Sequence, residues 1–170
     1  MQRFSILILF AVAVSPSTNA AIVKNPPGVP NGDIGNDNFP NASIEVNGGS
    51  VLDEQMGFAN FAVEVGRTLG SQGLLHVTGA GSEYNVMFRH FAVGREGQGE
   101  VRVDDGGFFG LLTDSFGGRF LFLNNDGMSG TVPTGSSAVV TVDGAGSKFQ
   151  YGGERTSGPG SSVQRGNRVS

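Results

Sequence analysis

Val77-Thr78-Gly79-Ala80-Gly81-Ser82-Glu83-Tyr84-Asn85 returns about 65 residues later as Val142-Asp143-Gly144-Ala145-Gly146-Ser147-Lys148-Phe149-Gln150, with the aromatic at the same place. A second variant of the turn stands in Val46-Asn47-Gly48-Gly49-Ser50 and in Val103-Asp104-Asp105-Gly106-Gly107-Phe108. Each turn follows a short alternating segment: Ser43-Ile44-Glu45-Val46, Leu74-Leu75-His76-Val77, Glu100-Val101-Arg102-Val103 and Val139-Val140-Thr141-Val142. Such segments read as strands. In an extended chain Leu75, Val77, Val101, Val103, Val140 and Val142 then point inward, and His76, Arg102 and Thr141 point outward.

The stretches between these strands repeat too. Phe61-Ala62-Val63-Glu64-Val65-Gly66-Arg67 matches Phe91-Ala92-Val93-Gly94-Arg95, and both lead through a Gly-rich turn into the next strand. Self-similarity at spacings of roughly 25 to 40 residues marks a repeat architecture. One unit of strand, turn and strand cannot bury its own apolar face, whereas stacked units share a continuous core. The expected fold is therefore all-β: a short right-handed parallel β-solenoid of about four Gly-rich coils. A β-sandwich, with the repeated turns at opposite ends, is the structural rival.

Composition agrees with this reading. The 29 glycines require tight corners or close packing, because glycine elsewhere costs backbone entropy. The chain has no cysteine, which excludes disulfides, thiol chemistry and cysteine metal sites. The apolar stretch 108–123, with Phe108, Phe109, Leu111, Leu112, Phe116, Phe120, Leu121, Phe122 and Leu123, is expected to form a pair of core strands linked at Gly117-Gly118. An exposed apolar patch is the alternative.

Outside the repeats the chain divides as follows. Arg3, an apolar run from Phe4 to Val14 and a small, polar stretch ending in Thr18-Asn19-Ala20 read as a secretory signal peptide over 1–20. The apolar run is too short to span a bilayer. Residues 21–41, with Pro26-Pro27, Pro30 and Pro40 among Asn, Asp and Gly, read as a linker or an irregular cap. The solenoid occupies 42–151, and 152–170, nearly devoid of apolar residues, reads as a disordered tail. Loss of Arg3 with the signal takes the formal charge from -4 to -5, thinly spread, which argues against nucleic acid or anionic lipid as partners.

The units Val-x-Gly-Ala-Gly-Ser with a following aromatic, Ala-Val-Gly-Arg and Val-x-x-Gly-Gly resemble the repeats of autotransporter (type V secretion) passengers and of PEP-CTERM-associated exported proteins. The resemblance covers about 42–151 and is most specific at 77–82, 93–99 and 142–147. It implies a parallel β-solenoid, export, and a structural or adhesive role at the bacterial surface, in the extracellular space or in the periplasm, with no catalytic residues to carry over. The tail 154–170 has no Pro-Glu-Pro motif, apolar helix or barrel strand, so it departs from the family's usual sorting routes.

No catalytic, cofactor-binding or metal-ligating residue is nominated, and no cofactor is expected. His76 and His90 read as solvated surface. Ser82 and Ser147 lack the Gly-x-Ser-x-Gly spacing of a nucleophile elbow and read as turn serines bonded to their own backbone. Asp104, Asp105, Asp114 and Asp126, with Arg102 and Arg119, form the basis of an alternative: a carbohydrate-active β-helix enzyme, polysaccharide lyase-like, in which aspartates of adjacent coils converge on calcium. Asn31, Asp33, Asn36, Asp37 and Asn38 resemble a calcium loop in composition but not in spacing. Gly94 to Gly99 lacks the Lys-Ser or Lys-Thr and the helix that phosphate binding needs. Asn41-Ala42-Ser43 is a formal glycosylation sequon. The expected function is an exported, non-catalytic structural or adhesin-like repeat protein, with glycans or other surface proteins as partners and end-to-end self-association. A truncated, non-functional fragment of a longer passenger is a further alternative.

Overall fold

The computed structural model describes residues 19–55, 61–87, 90–112, 121–124 and 133–152. The chain forms thirteen strands among these residues: β1 (Ala21–Asn25), β2 (Asp33–Ile34), β3 (Asn41–Asn47), β4 (Val51–Gln55), β5 (Phe61–Val65), β6 (Gln72–Thr78), β7 (Glu83–Met87), β8 (His90–Val93), β9 (Gln98–Asp104), β10 (Phe108–Leu112), β11 (Leu121–Leu123), β12 (Ser137–Val142) and β13 (Lys148–Tyr151). They make three sheets, in the orders β1-β3-β6-β9-β12, β4-β7-β10-β13 and β2-β5-β8-β11. Every pairing is parallel except that of β1 with β3. The chain visits the three sheets in turn, so it is a parallel β-solenoid.

Four rungs of the first sheet align as Asn-Ala-Ser-Ile-Glu-Val (β3), Gln-Gly-Leu-Leu-His-Val (β6), Gln-Gly-Glu-Val-Arg-Val (β9) and Ser-Ala-Val-Val-Thr-Val (β12). The coils are unequal: Asn41↔Gln72, Gln72↔Gln98 and Gln98↔Ser137 are 31, 26 and 39 residues apart. Alternation sends Ile44, Val46, Leu75, Val77, Val101 and Val103 inward, all fully buried. Each such burial stabilises the fold by about 1.5 to 3 kcal/mol.

The turns from the first sheet to the second come in two lengths. In Asn47–Ser50 and Asp104–Gly107 the last N–H donates to the first carbonyl (3.0 and 2.9 Å), with φ > 0 at both central residues. This is the pattern of a tight type I′ turn, which suits Gly and Asp. The Gly-Ala-Gly-Ser turns are one residue longer. They nevertheless bring Tyr84 and Phe149 into register with Phe109, and Tyr84 into register with Leu52. Phe109, and not Phe108, thus continues the aromatic column.

The Gly-Arg corners fix the third sheet. Val65 pairs with Val93, and Phe91 falls opposite Val63, with a register shift between Phe61 and Val63. The match of Phe61 to Phe91 by sequence is therefore off by one side-chain repeat. In 108–123, β10 and β11 lie in different sheets and bond to neighbouring coils, not to each other. Gly117-Gly118 lies outside the described residues, as do 1–18 of the signal segment and 153–170 of the tail.

Residues 21–41 close the first coil. The antiparallel β1 covers the outer edge of β3, while Val29 and Ile34 are fully buried in the core. Lys24 Nζ donates to the Val29 carbonyl (3.0 Å), and Tyr84 Oη donates to the Asn31 carbonyl (2.8 Å). Buried Glu54, in register with Val86, has the inward parity of β4. Burial raises its pKa, and the Asn31 amide and the Lys24 charge offset part of that rise.

Candidate functional site

The outward parity of the first sheet builds two columns at the strand starts, Asn41-Gln72-Gln98-Ser137 and Ser43-Leu74-Glu100-Val139. The first column is exposed, and Val139 is 49 % exposed. Together with Asn25 at the end of β1 they line a groove of 430 Å³ that runs across the strands. Gly73 and Gly99, which lie between the two columns, also line it, and at both the backbone of the corner and of the previous coil approaches too closely for a side chain.

The next column along the same face is Glu45-His76-Arg102-Thr141. His76, Arg102 and Thr141 point outward as the alternation predicts, but His76 is not simply solvated. Its Nε2 lies 2.9 Å from Asp104 Oδ2 and its Nδ1 3.6 Å from Glu45 Oε2, linking three coils. Arg102 Nη2 holds Glu100 Oε1 at 2.7 Å. Burial pushes the Asp104 carboxyl up, but hydrogen bonds from Thr78 and His76 and the charges of His76 and Arg102 outweigh it, leaving its pKa below the aspartate value of 3.8. A depressed folded pKa contributes stability that is present above the unfolded value and lost as pH falls through the folded one. Asp104→Asn is therefore expected to flatten the fall of melting temperature as pH drops below 3.8. Thermal scans of both proteins across that range measure it, and parallel acid limbs would contradict the assignment.

A second charged chain runs along the outer face of the third sheet. Arg67 holds Asp33 (3.0 Å) and Glu64 (3.2 Å), and Arg95 holds Glu64 (2.7 Å), whose side chain is only 9 % exposed. Because Glu64 serves two arginines from a nearly dry position, Glu64→Ala is expected to cost about 2 kcal/mol. Urea unfolding checks this, and a loss within about 0.5 kcal/mol would reduce the chain to ordinary surface charge. The sequence signal for this chain was the recurrence of Arg after the corner glycine in successive coils. Glu64 itself had no signal, because its partners depend on coil length.

The serines are placed differently from expectation. Ser82 Oγ accepts the Gly49 N–H and Ser147 Oγ accepts the Gly106 N–H, both at 3.0 Å. Each long turn thereby fastens the short turn of the preceding coil, instead of only its own backbone. His90 opens β8 and meets the Phe122 ring edge-on, centroids 5.8 Å apart. Asp105, at φ 49, is a turn residue; Asp114, Asp126 and Arg119 lie outside the described residues. Asn36 Oδ1 accepts the Asn38 and Phe39 N–H groups, Asp33 is bound to Arg67, and the Asn31 carbonyl to Tyr84. The corner at 94–99 joins β8 to β9, with the Gly94 N–H donating to the Val65 carbonyl. Among the described residues no three His, Cys, Asp or Glu side chains are grouped to hold a metal ion, and no helix is long and apolar enough to cross a membrane.

No family model, curated protein or solved structure matches the chain.

Proposed function

We propose that the chain is an exported, non-catalytic structural or adhesin-like repeat protein of the bacterial surface or extracellular space, with the outer face of the first sheet as its contact surface. One observation carries this reading. Among the described residues, polar side chains of the kinds a reaction centre draws on are paired from coil to coil: Glu45–His76–Asp104, Asp33–Arg67–Glu64–Arg95, Ser82 on Gly49 and Ser147 on Gly106. In those roles they stabilise the stack and display a fixed surface. Export rests on the Arg3, apolar and small-residue order of 1–20.

Two measurements test it. Expression of the full chain in a bacterial host is expected to give a product processed near Ala20 and found outside the cytoplasm; an unprocessed cytoplasmic product overturns export. Incubation with polygalacturonate and calcium is expected to release no unsaturated ends. Their appearance would establish the lyase-like alternative.

A further inference from the structure

We infer that the groove across the first sheet binds an extended, uncharged polysaccharide whose chain lies along the stack of coils. The inference rests on the reading above only in taking this face to be presented outside the cell.

The two columns cross four strands, so the groove spans at least three strand spacings, about 14 Å. At each step the sheet offers the same pair of positions, one in each column. Such a periodic surface suits a repeating polymer better than a compact ligand. In the first column Asn41, Gln72 and Gln98 are exposed primary amides. Each supplies two donors and an acceptor without carrying charge, which matches hydroxyl groups that both donate and accept. In the second column half-buried Leu74 and half-exposed Val139 give apolar area against which the C–H face of a sugar ring loses water. Glu100 is the charged residue in the groove, and Arg102 already engages it at 2.7 Å. A polyanion would meet Glu100, with Glu45 and Asp104 on the same face, and would be repelled.

Affinity electrophoresis of the folded protein in native gels containing hydroxyethylcellulose, galactomannan, dextran or polygalacturonate tests the site. At least one neutral polymer is expected to slow the protein, and polygalacturonate is not. Gln72→Ala combined with Gln98→Ala should weaken that binding about tenfold or more with the melting temperature unchanged. Val139→Arg, which replaces apolar area of the second column with a charged side chain at a half-exposed position, should weaken it as well, whereas Gln150→Ala on the second sheet should bind as the parent does. The site is overturned if no neutral polymer slows a protein that melts cooperatively, if polygalacturonate slows it equally, or if the groove variants bind as the parent. Size-exclusion of the recovered polymer separates the two readings: shortened chains would end the non-catalytic reading while leaving the binding site in place.

Discussion

Gly99→Ala is expected to remove about 4 kcal/mol or more of stability, a large share of what a domain of ordinary stability has. A Cβ at Gly99 would lie 2.2 Å from the Val65 carbonyl oxygen and 2.4 Å from the Gly94 nitrogen. These two atoms are the ends of one 2.7 Å hydrogen bond that holds adjacent coils at their corner. The same relation recurs one coil earlier, where a Cβ at Gly73 would press on the Ile34 oxygen (2.2 Å) and the Gly66 nitrogen (2.6 Å), again the two ends of a 2.7 Å bond. The methyl cannot be absorbed by rotating a side chain. The backbone of two coils must separate, which breaks a hydrogen bond and opens the packing together. Ala42 and Ala138 hold the equivalent positions at the two ends of this ladder, so the demand for glycine belongs to the inner rungs. Gly28→Ala is the control: its φ of 94° is unfavourable for alanine, but no atom lies within 4 Å of its Cβ, and it should cost only about 1 to 2 kcal/mol. Circular dichroism melting and urea titration of the two variants measure the contrast. Similar losses in both would show that backbone conformation, and not close approach between coils, is what these glycines supply.

That ladder also marks the boundary of what could be read from the sequence. Alternation along Leu74–Thr78 and Glu100–Asp104, together with the recurring turns, was sufficient for the solenoid because inward valines repeat at the same distance before each turn. The role of Gly73 and Gly99 was not legible, since it depends on which carbonyl of the previous coil faces them. Coils of 31, 26 and 39 residues prevent that register from being counted along the chain. The displaced pairing of Phe61 and Phe91 has the same origin: identical residues suggested one alignment, and the Gly-Arg corner imposes another. Outward placement of His76, Arg102 and Thr141 followed from parity alone, whereas their partners followed from register. The groove could have been suspected from the Gln-Gly pairs at 72–73 and 98–99, which precede two aligned strands, although a lone pair of that kind has no distinctive chemistry. Glu54 goes against the pattern, because a carboxylate of inward parity on β4 is buried in register with Val86, where the neighbouring strand is apolar. It is tolerated where the irregular cap brings Asn31 and Lys24 to it.

Phe109→Ala is expected to cost about 4 kcal/mol, a fall in melting temperature on the order of 10 °C or more. Phe109 is fully buried, stacked on Tyr84 at 5.7 Å with the rings 6° from parallel and on Phe149 at 4.8 Å and 11°. Phe91, from the facing third sheet, tilts against it at 4.8 Å. Removing the ring therefore opens a cavity between three aromatic neighbours on successive rungs and across the core, and the backbone around it cannot collapse because its spacing is set by the sheet ladder. Phe149→Ala provides the comparison, since Phe149 lies on the last rung and is only half-buried, so truncation there opens less enclosed space. In a stack stabilised mainly by neighbouring coils, the inner variant should also weaken the coupling between the parts on either side of it, whereas the outer one should leave the inner rungs intact. Urea titration followed by both circular dichroism and tyrosine fluorescence distinguishes these outcomes when both variants carry Tyr151→Phe, which leaves Tyr84 reporting from the inner side of the deleted ring. A larger loss for Phe109→Ala, with probes that no longer coincide, is the expected result. Equal and small losses would mean that the aromatic column fills space without holding the coils together, and the stability of the solenoid would then have to come from its backbone ladders and its charged corners.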